Sequence, residues 1–345
     1  MNPGRSMKPF VILRVVLFFA LLLPAEAGQV EWKLKEHRGN KYVPLSQVKE
    51  FYKMTSMTRS GSYITLKNSD ITMKFRAGGQ EVLMNNVKFI FSHNVISFGS
   101  SYHISVTDLL KIIDPVLRPF KIKEAKPFDT VIIDPGHGGK DAGAVNSLGT
   151  EADYNLKVAK LLFENLKRKG FKVVMTRNTN VFLSLQQRVN LANKYQNAIF
   201  ISIHFNSVGS SGRSQARGIE TFTLSPIGVA HYGRSLKQSD FIKRRGNDQD
   251  SANIALATAI HWTSIRLLAN AKLTVPDRGI RRARYSVLTG IKHPAVLFEG
   301  GFMSHPQEKY LIHNPNYQRT LARAIADAIS FYRKATLQKV GTAKR

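Results

Sequence analysis

The chain has 345 residues, 43% of them hydrophobic and 21% charged, enough to bury one large core or two ordinary ones and too apolar for a disordered protein. It contains no cysteine, which excludes disulfides, cysteine-held zinc, iron–sulfur clusters, thiol nucleophiles and a lipidated N-terminal cysteine. With 51 Lys and Arg against 23 Asp and Glu, the net charge of +28 fits a polyanionic partner without saying whether that is nucleic acid, acidic lipid or an anionic wall polymer.

Residues 1–27 read as an export leader. Arg5, Lys8 and Arg14 form a basic stretch, Val15 to Leu23 is apolar, and Ala25-Glu26-Ala27 is a small-residue cleavage pattern. The apolar run is too short to cross a bilayer, which takes about 20 residues. An exported protein meets no chromosome, so the expected polyanion is envelope material and no nucleic-acid partner is expected.

Residues 28–120 are expected to form a small β-rich module. Tyr63–Leu66, Ile71–Phe75, Val87–Phe91 and Tyr102–Val106 read as strands, broken by turn residues such as Gly78-Gly79 and Asn85-Asn86. Short helices are expected at Leu45–Tyr52 and Thr107–Ile113. Residues 121–128 read as a polar linker, after the helix-breaking Pro115 and Pro119.

From residue 129 to 333 the pattern alternates between strand and helix. Val131–Ile133, Lys172–Thr176, Ile199–Ile203, Gly218–Leu224 and Ala295–Phe298 read as strands. Helical spacing appears over Leu156–Leu166, Leu185–Asn193, Ser251–Ala269 and Gln318–Tyr332, with Gly170 stopping the first of these. The predicted fold class is α/β: a mostly parallel twisted sheet with helices on both faces, preceded by the β-rich module. The segment Ser225–Asp250 reads as an open surface loop, and 334–345 as a basic, frayed tail.

In open parallel sheets, sites form at the carboxyl ends of the strands. His137 follows the first strand, His204 the third and Glu299 the last, while Glu151 opens the first helix on the same edge. Two His and one Glu can fill three positions of a tetrahedral zinc and leave the fourth for water. The remaining Glu can then act as general base and acid. Each residue alone has an ordinary structural reading; Glu299, directly after four apolar residues, is the hardest to read that way, because a buried carboxylate needs a partner. The other histidines, including His231, His261, His293 and His313, read as loop or helix-surface residues, with His305 the least clear.

At these same residues the sequence resembles the type 3 family of zinc-dependent N-acetylmuramoyl-L-alanine amidases. The matching stretches run from Val131 through Asp134-Pro-Gly-His137-Gly-Gly139, Glu151 to Leu156, Thr176-Arg177, Leu185 with Arg188, Phe200 to Asn206, Gly218-Ile-Glu220, Arg278-Gly-Ile280 and Pro294 to Ser304. The resemblance implies that His137, Glu151 and His204 hold zinc and that Glu299 is the catalytic carboxylate. It implies peptidoglycan as substrate, with the amide between N-acetylmuramic acid and L-alanine as the bond cut. The chain departs from the family at Ala152, where Lys is usual, at Gly300-Gly301, where Thr-Gly is usual, and at His305, where Asn is common. Another envelope zinc peptidase and a non-catalytic wall-binding protein are the alternatives. The N-terminal module is more weakly similar to the copper amine oxidase N-terminal-like domain, which implies positioning and no copper chemistry. The charge suggests anionic wall polymers or a membrane surface as further partners. Some relatives carry an inhibitory helix over the zinc; Ser225–Asp250 is where one could lie, and its Gly and charge content argue for an open loop. A protein activator is not legible.

Overall fold

The structure, a computed structural model, describes residues 31–209 and 215–341, with side chains through 335. The expected leader, residues 1–27, falls outside the described residues. The first half supplies strands β1 (Lys35–His37), β2 (Asn40–Pro44), β3 (Ser56–Ser60), β4 (Tyr63–Lys67), β5 (Thr72–Arg76), β6 (Glu81–Met84), β7 (Val87–Ile90), β8 (Ile96–Phe98) and β9 (Ser101–Ser105), with helix α1 (Leu45–Phe51). Ser105 caps the helical stretch that follows, accepting from the Asp108 N–H, and helical turns continue to Leu117.

The second half supplies β10 (Thr130–Pro135), a hairpin of β11 (Val145–Asn146) and β12 (Gly149–Thr150), α2 (Glu151–Arg168), β13 (Lys172–Met175), α3 (Leu185–Asn193), β14 (Ala198–Asn206), β15 (Ile219–Leu224), α4 (Asp250–Asn270), β16 (Asp277–Ala283), α5 (Ser286–Gly290), β17 (Ala295–Phe302), α6 (Glu308–His313) and α7 (Pro315–Gly341). The helix starts follow local chemistry. Thr150 caps α2 by accepting from the Asp153 N–H, and Ser184 with Gln187 makes a full capping box on α3. Helix α7 runs beyond its expected end and takes in most of the stretch read as a frayed tail. Ile122, Ala125 and Phe128 are buried, so the polar linker is pinned to the core by its apolar positions.

The sheet order is β13-β10-β14-β17-β15-β16-β7-β6-β5-β4-β3. The first four strands are mutually parallel; β15 joins β17 antiparallel, and β16 lies parallel to β15. The α/β architecture is therefore as expected, with one reversal inside the sheet. Helices α2, α4 and α7 cover one face over a large apolar cluster, and α3 and α5 cover the other over a smaller one. The N-terminal strands continue the same sheet: β7 pairs with β16 at Phe89↔Ile280, and the remaining strands β6 to β3 follow as an antiparallel meander. The other N-terminal strands form a separate four-stranded sheet, β1-β2-β9-β8.

Candidate active site

Strand β10 ends on Asp134-Pro135, and the chain then turns sharply through Gly136 to His137. A side chain at 136 would put its Cβ 2.1 Å from the His204 ring, so only glycine lets the two strand ends approach this closely. His137 itself has φ +59°, a left-handed conformation that a non-glycine residue holds only when its surroundings enforce it. Two buried arginines do so. Arg177 donates to the carbonyls of Pro135, Gly136 and Ala152, and Arg188 donates to the carbonyls of Pro135 and His137. Arg188 is itself held by Asp134 at 2.8 Å, a buried carboxylate that also accepts from Thr176 and Ser202.

On that frame His137, Glu151 and His204 converge, each offering a ligand atom within 4.8 Å of the others. Glu151 Oε1 lies 2.9 Å from His204 Nδ1 and 3.2 Å from His137 Nε2. Its second oxygen accepts from the Ala144 N–H at 3.0 Å. Burial works against the charged carboxylate, yet the hydrogen bonds to His137 and His204 and their charges outweigh it and hold Glu151 below the ordinary range. A carboxylate kept ionised between two imidazoles is the donor set that suits zinc with one position left open. Asp141, 2.9 Å from His137 Nδ1, stands where a supporting carboxylate orients a metal-binding histidine.

Glu299 lies beside His204 in the register of β14 and β17, on the same face of the sheet. It is buried, and its Oε2 has no hydrogen-bond partner among the described residues. Burial first, then the charges of Glu151 and Glu220, raise its pKa well above the usual carboxylate value. All four sequence-predicted residues thus meet at one rim, beside a cleft of about 430 Å³ whose walls include Phe182, Leu185, Tyr285 and Leu297.

Two further residues of the rim were not among the expected site residues. Glu220 lies opposite Glu299 in the antiparallel register of β15, where Asn206, Arg278 and Arg281 hold it. It reaches the rim because β15 runs backwards, which places the start of that strand beside the ends of the others. Tyr285 follows β16 and packs on Phe222 and His231. Elsewhere, His305 accepts from the N–H groups of Gln307 and Glu308, which is a local turn cap. His261 is fully buried between Thr221 and Asp277, so it is a core histidine and not the helix-surface residue expected.

An α/β sheet whose rim gathers two histidines and two glutamates around an open cleft is an arrangement for hydrolysis. The sequence profile of N-acetylmuramoyl-L-alanine amidases (Amidase_3) matches residues 131–330, and the chain belongs to that family of peptidoglycan hydrolases. It is 32% identical over 210 residues to the uncharacterized protein YqiI of Bacillus subtilis, covering 60% of this chain and 87% of that one. It is 33% identical over 259 residues to the N-acetylmuramoyl-L-alanine amidase LytC of Bacillus subtilis, covering 74% of this chain but only 44% of LytC. The solved catalytic domain of CwlV, an amidase from Paenibacillus polymyxa, aligns with 60% of this chain and 99% of its own, at 30% identity and a TM-score of 0.48.

Proposed function

We propose that this chain cuts the amide between the lactyl group of N-acetylmuramic acid and the L-alanine of the stem peptide, using zinc held by His137, Glu151 and His204. The observation that carries the reading is the convergence of those three donors beside a buried Glu299 whose Oε2 has no hydrogen-bond partner among the described residues, in a chain of the amidase family. Zinc, when bound, supplies Lewis acidity toward the scissile carbonyl. Glu299 accepts the proton of the attacking water at its carboxylate and returns it to the leaving amine. Asp134, Arg177 and Arg188 keep the His137 turn in place, and the apolar cleft walls shed water from the reacting bond.

Residues 1–27 act in this reading as an export leader, which delivers the protein to the periplasm or wall. Residues 28–120, similar to the copper amine oxidase N-terminal-like domain, position the enzyme in this reading while sharing its sheet and its apolar cluster with the hydrolytic part. The positive charge favours anionic wall polymers or a membrane surface.

The test is digestion of purified sacculi by the mature chain, with and without chelator, read by mass spectrometry. Intact stem peptides, absent with chelator and restored by zinc, are expected. Shortened peptides would make the chain a zinc peptidase, the absence of products would make it a wall-binding protein, and full activity without metal would end the zinc proposal.

A further inference from the structure

The segment between β15 and α4 is built more tightly than a surface loop requires. Asp240, fully buried at its centre, takes Arg234 at 2.7 Å through both oxygens and Arg284 at 2.8 Å. Arg284 also donates to the carbonyls of Pro226, Val229 and Asp240, and the Gly228 N–H donates to Asp240. A Cβ at position 228 would sit 3.5 Å from the Phe241 ring, so the two ends of the segment meet at Gly228 and Phe241. Held this way, the loop carries Ile227, Leu236, Phe241 and Ile242 between 47% and 52% exposed. Lys237, Lys243, Arg244 and Arg245 are exposed among them, and the exposed acid of the segment, Asp248, is paired with Lys243 at 2.6 Å.

Single exposed apolar residues are ordinary on a protein surface. Four on one braced loop, interleaved with four cations, need a partner that accepts both. Wall polymers offer anions but no apolar phase, and lysines such as Lys237 and Lys243 are depleted at the centres of protein interfaces, although arginines are enriched there. A bilayer surface offers anionic headgroups over an acyl boundary. We propose that this loop seats the protein on an anionic membrane surface, with the four apolar side chains at the headgroup–acyl boundary and Lys237, Arg244 and Arg245 on lipid phosphates. Arg284, which braces the loop from beneath, also lines the catalytic cleft, so the seat would hold the cleft close to the bilayer. The inference goes beyond the amidase reading and stands or falls separately from it.

Flotation of the full chain with phosphatidylethanolamine–phosphatidylglycerol vesicles, and with phosphatidylcholine vesicles alone, tests it. Binding to the anionic vesicles only, weakened by salt, is expected. The pairs Phe241→Ser with Ile242→Ser, and Arg244→Glu with Arg245→Glu, should each reduce it by about tenfold or more, with thermal midpoint and turnover of a soluble muropeptide as in the parent. Phe241→Trp, which keeps the apolar knob, should gain blue-shifted emission on adding anionic vesicles. No anionic binding, binding in both pairs equal to the parent's, or an unshifted tryptophan overturns the proposal. So does loss of sacculus binding in the pairs with vesicle binding intact, which would assign the loop to wall polymer.

Discussion

A buried carboxylate that faces two others, with one oxygen free of hydrogen bonds among the described residues, is set up to take a proton, and Glu299 is so placed. Glu299→Gln keeps its volume and leaves the three metal donors untouched. The variant should bind zinc close to stoichiometrically by metal analysis and lose roughly a hundredfold or more of the amidase rate, the usual contribution of a general base. A variant that lost zinc but kept its rate per metal would reverse the assigned roles. His137, Glu151, His204 and Glu299 were legible in the sequence because each follows an apolar strand run or opens a helix on one sheet edge, although β14 and β17 continue through His204 and Glu299. Glu220 was not, since it begins a strand, and only the reversal of β15 carries it to the rim. The support from Arg177 and Arg188 was hidden for another reason. They act on backbone carbonyls, which leave no trace in side-chain spacing.

At the scale of elements, helix α4 shows what periodicity conceals. It is buried around most of its circumference, with Asn253, Thr258, Thr263 and Ser264 inside as well, so the polar His261 looked like a surface residue when it is not. In the fold its ring bridges Thr221 on β15 and Asp277 on β16, and Asp277 also accepts from the Lys88 N–H of β7. The segment Ser225–Asp250, read as an open surface loop, contains 3-10 turns at Gln238–Phe241 and Arg245–Gln249, and its last residue opens α4; its brace at Asp240 was invisible, because Arg284 reaches it from the segment after β16. The carboxyl of Asp277 loses solvation on burial, yet its bond to His261 outweighs that and lowers its pKa. A carboxyl lowered in the folded state adds stability above the unfolded value of about 3.9, and that stability is lost as pH falls through the folded value. Asp277→Ala orphans two donors and should cost roughly 2 kcal/mol at neutral pH. Urea unfolding should show the gap between variant and parent narrowing in acid. A gap that stays constant down to strongly acidic pH would remove Asp277 as its source.

Over the whole molecule, the seam between β16 and β7 decides whether the N-terminal strands form a tethered module or part of one folding unit. A single apolar cluster runs from Val43 and Phe89 through Val131 and Phe298 to Tyr332, with no break at the expected boundary. The seam passes through Gly279, whose φ is +93° and whose Cβ, were there one, would meet the Lys88 side chain at 3.0 Å and its carbonyl oxygen at 3.2 Å. Composition could not reveal this, because the boundary residues carry linker chemistry while the contact lies between residues far apart in the chain. The parent should therefore unfold in one calorimetric transition. Gly279→Ala forces a side chain into a left-handed backbone, at a cost of roughly 1–3 kcal/mol, and also wedges β16 from β7. It should lower the midpoint and split the transition in two. Gly170→Ala imposes similar strain at φ +78° where nothing lies within 4 Å, so it should lower a transition that stays single. Two transitions in the parent, or the same response from both variants, would mean that the strands touch at the seam without sharing stability.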